Sequence, residues 1–278
     1  MSDRAAMTVA FMGPPGTFSD IAVRVAFPGE ATLETSTIPA VLDSVERRLA
    51  DYGVVPIENS TEGGVSATLT ALLESTLSIR GELVIAVPLC LAARHGERGR
   101  IRRVASHPQP LAQSRRWLER ELPGVELVSM ASTTAAAREA ERDDATAAVT
   151  SRLGADLYSL QLLAENIQDS AHNATRFVIV AHEDARPTGR DKTSVVFSTP
   201  HERGALRRAL GVFDDEGINL TRIESRPAPG KRWEYVFFTD LEGHRADPEV
   251  SRALERLRTF CSTVRVLGSY PRGADGPE

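Results

Sequence analysis

Asparagine, threonine and arginine fall within four residues in Asn173-Ala174-Thr175-Arg176-Phe177, which opens an apolar run through Val180. A threonine hydroxyl donates and accepts, an asparagine amide does both with separate atoms, and a guanidinium presents a rigid positive fork. Such a set can hold a small, oxygen-rich anion where one element gives way to the next. A polar turn capping a strand would use the same residues, so the rest of the chain has to decide. Asn173-Ala174-Thr175 also matches a glycosylation acceptor, which matters only in a secreted chain.

Two further polar turns follow apolar, strand-like runs. Gly13-Pro14-Pro15-Gly16-Thr17-Phe18-Ser19 comes after Thr8 to Met12, and Glu58-Asn59-Ser60-Thr61-Glu62-Gly63-Gly64 comes after Tyr52 to Ile57. A glycine turn that leads from a strand into a capped helix offers free backbone N–H groups to an anion. The first turn is not a nucleotide loop, since no Gly-Lys-Ser/Thr follows and the dinucleotide spacing is absent. In the second, Gly63 and Gly64 let backbone approach a ligand closely.

Other chemistries find little support. The six histidines are scattered, and Cys90 and Cys261 lie far apart, so no metal site is expected. His107 and His172 adjoin candidate turns and read as local polar residues. No Gly-x-Ser-x-Gly elbow or Ser-His-Asp arrangement is visible. A net charge of -5 with no long basic run argues against nucleic acid. No targeting segment or membrane-length apolar stretch is present, which predicts a cytoplasmic chain with reduced, buried thiols. In that compartment the glycosylation reading lapses.

The elements that position these turns alternate. Strands are expected at Thr8 to Met12, Ala31 to Glu34, Tyr52 to Ile57, Leu77 to Ile79, Leu83 to Leu91, Ile101 to Ala105, Val125 to Val128 and Ala145 to Val149. Helices are expected at Phe18 to Ala26, Ile38 to Leu49, Val65 to Leu73 and Leu111 to Leu122, then an alanine-rich one after Ser132 and one from Ser151. Strand–helix alternation implies parallel βαβ units. The pattern restarts near residue 100 and returns at residue 177, which suggests two α/β lobes with the polar turns facing a cleft. The lobes are placed at about 1–85 plus 168–185 and at 86–167, within a domain spanning 1–185.

Residues 186–191 read as a linker, with Pro187 and Gly189. The next segment, 192–272, is a separate unit before a short tail at 273–278. Its strands, at Thr193 to Ser198, Ile218 to Glu224, Trp233 to Thr239 and Val264 to Leu267, enclose two amphipathic helices. That β-α-β-β-α-β order is the ferredoxin-like arrangement. A turn is expected at Arg226-Pro227-Ala228-Pro229-Gly230.

Taken in order, Gly13 to Ser19, Val55-Pro56-Ile57-Glu58-Asn59-Ser60 and Asn173 to Phe177 resemble the motifs of the prephenate dehydratase family. Ser106-His107-Pro108-Gln109-Pro110-Leu111-Ala112-Gln113 is similar to another of its segments, with Pro110 where alanine is usual. The tail resembles that family's ACT domain. Gly204-Ala205-Leu206 and Glu224-Ser225-Arg226-Pro227 stand where its phenylalanine-sensing motifs would. Arg203 and Arg207 depart from the pattern, which has a proline and an apolar residue there.

The resemblance implies a two-lobed, periplasmic-binding-protein-like catalytic domain followed by a ferredoxin-like ACT domain. It implies decarboxylating dehydration of prephenate to phenylpyruvate without a cofactor, and control by L-phenylalanine. Thr175 is the residue it marks as catalytic, with Arg176, Asn59 and Ser60 beside it. Gly16, Thr17, Glu58, Gly64, Gln113, Asn173 and Phe177 are the expected substrate-binding set, although Phe177 also suits a core. Gly204, Ala205, Leu206, Asn219, Glu224, Ser225, Arg226 and Pro227 are the expected phenylalanine set. A homodimer through the ACT domain, or a homotetramer, would cover its exposed sheet. Rival assignments on the same scaffold are a prephenate decarboxylase and an arogenate dehydratase. A non-catalytic small-molecule-binding module is the rival from another class.

Overall fold

A computed structural model describes residues 7–170, 172–228 and 234–273. The described chain separates into two compact units: residues within 7–68 and 83–177, and residues within 69–82 and 178–273.

The chain opens with β1 (Thr8–Met12), whose centre, Val9 to Phe11, is fully apolar and buried. α1 (Phe18–Ala26) starts where the Thr17 hydroxyl accepts the Asp20 N–H. β2 (Ala31–Thr35) pairs parallel with β1. α2 (Ile38–Glu46) is capped by Thr37, and Pro39 fits its first turn because no N–H partner is needed there. β3 (Tyr52–Asn59) pairs parallel with the other side of β1, and β4 (Gly63–Gly64) folds back antiparallel onto its end. α3 (Ser66–Glu74) and β5 (Ser78–Ala86) follow.

β6 (Cys90–Ala93) begins a second sheet. It continues through β7 (Arg103–Ser106), α4 (Pro108–Gln113), α5 (Arg115–Glu121) and β8 (Glu126–Ser129). Then come α6 (Thr133–Arg142), β9 (Thr146–Thr150), α7 (Arg152–Leu157) and β10 (Gln161–Ala164). β11 (Ala174–Ala181) returns to the first sheet, whose order is β2-β1-β3-β11-β5 with β4 attached to β3. The second sheet runs β10-β6-β9-β7-β8.

Every residue of β9 is buried, as a strand covered on both faces must be. One face meets Leu91, Val104, Leu111 and Ile167. The other meets Ala136, Ala137 and Ala140 of α6, small side chains that let helix and sheet approach closely. The two cysteines are buried and unpaired. Burial lifts the Cys90 thiol above its ordinary pKa and pushes Cys261 up to about 11.

The second unit is built on β12 (Asp191–Ser198), a wholly buried strand paired antiparallel with β14 (Tyr235–Glu242) and β15 (Thr263–Pro271). β13 (Leu220–Pro227) pairs antiparallel with β14. α8 (Ala205–Asp215) and α9 (Pro248–Arg258) cover the sheet and bury Ala209, Phe213, Leu254 and Leu257. The order is β-α-β-β-α-β, as expected.

The same unit takes in residues 69–82. The Arg265 guanidinium donates to the carbonyls of Leu72, Leu73 and Ser75 at 2.5–3.0 Å. These are groups a helix end leaves unsatisfied, and burial lowers the arginine's pKa. Lys192 donates to both oxygens of Glu82 at 2.8 and 2.9 Å. Gly268 has φ +156°, and a Cβ there would lie 2.1 Å from the Ile79 carbonyl oxygen.

Four expectations need correction. Leu83 to Leu91 is not one strand: β5 runs from Ser78 to Ala86, and β6 starts at Cys90. Pro88 lies in the break, where a missing N–H ends a ladder. The helix expected over Leu111 to Leu122 is two helices. Ser114 breaks them by turning its hydroxyl back onto the Pro110 carbonyl at 2.7 Å, and the Asp169 carboxylate accepts N–H groups of Arg116 and Trp117. The second sheet is mixed, since β6 pairs antiparallel with both β9 and β10. Finally, Arg226 and Pro227 belong to β13 and not to a turn. Trp233 falls outside the described residues.

Candidate active site

β11 begins at Ala174, so Thr175 and Arg176 project from a strand and not from a turn. Successive strand residues face opposite sides. β3 ends beside them, so the alternation on two strands sorts the polar residues into two groups.

Asn59 and Thr175 form the first group. The Asn59 Nδ2 donates to the Thr175 Oγ1 at 3.0 Å, to the Ala174 carbonyl at 3.2 Å and to the Asn173 Oδ1 at 3.3 Å. Its Oδ1 accepts from the Thr61 hydroxyl at 2.6 Å and the Thr61 N–H at 3.0 Å. Asn173 Nδ2 donates to Gln113 Oε1 at 3.0 Å, and Gln113 Nε2 donates to the Thr61 Oγ1 at 2.9 Å. Asn59, Thr61, Gln113 and Asn173 thus close a ring of side chains with Thr175 attached. Asn59 and Asn173 are buried, which makes their pairing obligatory. Thr175 receives a hydrogen bond on its oxygen. No acceptor for its own proton occurs among the described residues.

Ser60 is saturated in a different way. Its hydroxyl donates to the His172 carbonyl at 2.9 Å and accepts the Ala174 N–H at 3.0 Å, which staples the end of β3 to the start of β11.

The second group is Glu58 and Arg176, whose carboxylate and guanidinium are 3.5 Å apart, with the arginine largely covered. The structure places this pair apart from the Asn59–Thr175 ring. Phe177 is buried in the core, and Gly64 pairs with Glu58 across β4.

Gly16 and Thr17 lie elsewhere. Gly16, at φ +88°, is buried, and its carbonyl accepts the Ser151 hydroxyl at 2.8 Å. Thr17 borders a cavity of about 480 Å³ with Glu34, His107, Gln109, Ser132 and Thr133. Helices α1 and α6 start there, each capped by a hydroxyl, at Thr17 and Ser132. α4 links the two places: His107 and Gln109 at its start border the cavity, and Gln113 at its end belongs to the ring. Six helical residues span about 9 Å. Sequence reasoning missed Thr61, Ser132, Thr133 and Glu34. Thr61 sat inside a turn already singled out, and Ser132 was visible only as a helix cap.

In the tail, Gly204 precedes α8 in the left-handed conformation, φ +79°. Gly204, Ala205 and Leu206 border a cavity of about 220 Å³ with Pro200, Glu202 and Tyr235. Glu224 pairs with Arg222 and with Arg226, the latter at 3.6 Å. Ser225 and Pro227 lie beside them on β13, and Asn219 passes its carbonyl to the Glu242 N–H at 3.0 Å. Among the described residues no group of three or more His, Cys, Asp or Glu could hold a metal.

Two sheets with helices on their faces, a hydroxyl–amide ring at a strand start and a small βαββαβ unit define an α/β enzyme with an appended regulatory domain. The prephenate dehydratase family pattern matches residues 9–185, and the ACT domain pattern matches 193–259. The chain belongs to the prephenate dehydratase family, whose members are lyases.

A bifunctional chorismate mutase/prephenate dehydratase of Aquifex aeolicus is 46% identical over 265 residues, covering 95% of this chain and 73% of that protein. The prephenate dehydratase of Arthrobacter aurescens, solved in complex with L-Phe, has a TM-score of 0.88 at 38% identity and covers 98% and 92% of the two chains. A protein described as a novel type of quorum quenching acylase has a TM-score of 0.87 at 33% identity, covering 96% and 98%. No helix among the described residues is long and apolar enough to cross a membrane.

Proposed function

We propose that the chain converts prephenate to phenylpyruvate, water and carbon dioxide, with Thr175 serving the departing hydroxyl. Prephenate carries two carboxylates and a ring hydroxyl on a cyclohexadiene. The C–O bond to the hydroxyl and the C–C bond to the ring carboxylate both break, and that carboxylate's electrons enter the ring as it becomes aromatic. One proton must reach the leaving oxygen, and aromatisation supplies the driving force.

A single observation carries the assignment: Asn59 donates to the Thr175 oxygen at 3.0 Å. A hydroxyl that already accepts on its oxygen turns its proton outward. It is oriented to give a hydrogen bond to the leaving oxygen, which stabilises that oxygen as it departs and takes up its proton. The ring through Asn173, Gln113 and Thr61 holds Asn59 in that role. The cavity beside Thr17 and Ser132 suits a carboxylate, since two capped helix starts direct N–H groups there. Gly16 shapes the loop that makes that corner. Glu58 holds Arg176, whose fork presents charge toward a carboxylate. Ser60 and Gly64 fix the turn, and Phe177 anchors β11.

Acyl transfer is the second reading, raised by the likeness to the acylase. It is disfavoured by the same hydrogen bond, because a nucleophilic hydroxyl needs a base on its proton and Asn59 is a donor. Incubation of the purified chain with prephenate, followed by identification of the product, tests the proposal. Phenylpyruvate is expected. A non-aromatic product would identify a decarboxylase, and turnover of arogenate alone would identify the aminated substrate. Binding without turnover would leave a small-molecule-binding module.

Residues 1–185 are taken as catalytic, 186–191 as linker and 192–272 as regulatory, which the extents of the two family matches support. L-phenylalanine is the proposed effector, held by Gly204 to Leu206 and by Asn219 with Glu224 to Pro227. The chain works in the cytoplasm as a homodimer through the ACT domain, or as a dimer of such dimers.

A further inference from the structure

We infer that the helical face of the ACT domain carries a second anion site, adjoining the proposed phenylalanine segment at Gly204 and Arg207, for a small phosphate-bearing ligand. A cavity of about 780 Å³ is bordered by Arg203, Arg207, Arg208, Gly211, Asp215 and Arg256. Arg207, Arg208, Gly211 and Asp215 recur at helical spacing along one face of α8, and Arg256 reaches in from the end of α9. Four arginines and one acid border it, in a chain whose formal net charge is -5.

The charges are not equally committed. Arg208 pairs with Glu202, and Arg256 pairs with Asp215 at 2.6 Å and Glu216 at 3.1 Å. Arg203 and Arg207 have no ion-pair partner among the described residues.

Gly211 points the same way. Glycine inside a helix costs stability relative to alanine. Here it has no positive φ to adopt and no neighbour within 4 Å of an added Cβ. Its effect is to lower the floor between the arginines. Two uncommitted forks above an open floor match an oxyanion with several oxygens and more than one charge. A phosphate or diphosphate group meets that description better than a single carboxylate. The volume would admit a body of nucleotide size beside it.

Calorimetry on the full chain with inorganic pyrophosphate, ATP and succinate tests this, alongside an Arg203→Ser/Arg207→Gln double variant. Both side chains are exposed, so the variant should fold, which its melting curve would verify. One saturable pyrophosphate or ATP site per chain is expected. It should weaken with added salt, and by about tenfold or more in the double variant, the loss expected for charge-assisted hydrogen bonds. Absence of saturable binding at millimolar ligand, or binding that survives the double variant, would overturn the site. Succinate bound as tightly as pyrophosphate would overturn the phosphate class. A changed oligomeric state in the double variant, with no pyrophosphate binding to the parent, would show a face between copies instead.

Discussion

Asn59 Nδ2 lies 3.0 Å from Thr175 Oγ1, joining two residues 116 positions apart in sequence. The bond fixes which way the threonine hydroxyl faces, and the pair can be tested from either end. Thr175→Val is nearly isosteric and should leave the melting curve unchanged. Loss of one positioned proton donor should lower kcat by about 100- to 10,000-fold. A folded variant with near-parental turnover would remove Thr175 from the chemistry.

Asn59→Asp replaces a donor with a carboxylate facing the same oxygen. The Thr175 proton would then turn inward toward the carboxylate, away from substrate. Turnover should fall toward that of Thr175→Val, although Thr175 itself is intact. Adding Asn59→Asp to Thr175→Val should cost little further in kcat, because both changes act on the Thr175 hydroxyl, while the lost bonds to Ala174 and Asn173 should appear in the melting curve. Additive losses in steady-state kinetics would contradict that link.

Arg176 faces Glu58 at 3.5 Å, so its charge has both a structural and a substrate-directed use. Lysine cannot reproduce a planar fork. Arg176→Lys should raise KM by about tenfold or more if the fork holds a carboxylate, a loss of one charge-assisted hydrogen bond. A variant that melts earlier with unchanged KM and kcat would confine Arg176 to the ion pair.

Two glycines should resist alanine for different reasons. Gly16 combines φ +88° with a neighbouring Leu157 Cδ1 only 3.0 Å from an added Cβ. Gly16→Ala should cost about 1–3 kcal/mol of stability, the usual range for such backbone strain. At Gly268 the added carbon would meet Ile79 backbone at 2.1 Å, which no rotamer change relieves. Gly268→Ala should be the more damaging of the two in thermal melts, and equal melting temperatures would count against the packing described.

Acid stability should depend on Asp143. Its pKa is held down to about 2, first by the Thr146 hydroxyl and next by the Arg103 guanidinium, which donates at 2.7 Å. A depressed carboxylate binds fewer protons in the folded than in the unfolded state. Its contribution is therefore complete above about pH 4, the ordinary aspartate range, and is lost as pH falls toward about 2. Asp143→Asn should be less stable at neutral pH and should show a shallower loss of stability across that window, as read by urea melts at stepped pH.

Phenylalanine should alter turnover through the tail. A coupling of about 1–3 kcal/mol would shift prephenate affinity by about 5- to 150-fold. The comparison is best made with Gly204→Val in the full chain, because cutting the tail away would strip Arg265 from the carbonyls of Leu72, Leu73 and Ser75. A parent chain with no phenylalanine response would leave the tail an assembly domain.

Local rules made much of this protein legible in advance. Alternating apolar runs set out two α/β lobes. Thr17, Ser132 and Ser151 announced helix starts, since an orphan N–H at a helix start takes the nearest hydroxyl. The tail's β-α-β-β-α-β order and the turns at 13–16 and 60–62 could be read because each depends on a few adjacent residues.

What required the tertiary structure was every relation across distance. The pairing of Asn59 with Thr175 depends on β3 and β11 lying side by side, and that of Gln113 with Asn173 on α4 ending beside the start of β11, which no local pattern encodes. The placement of Arg176 away from Thr175 follows from a strand beginning at Ala174, because strand neighbours face opposite sides. Residues 69–82 joined the tail's unit through Arg265, Lys192 and Gly268, whose partners lie more than a hundred positions away. Periodicity reports which face of an element is buried. Only the folded chain decides what that face meets, because burial is shared between segments that sequence keeps apart.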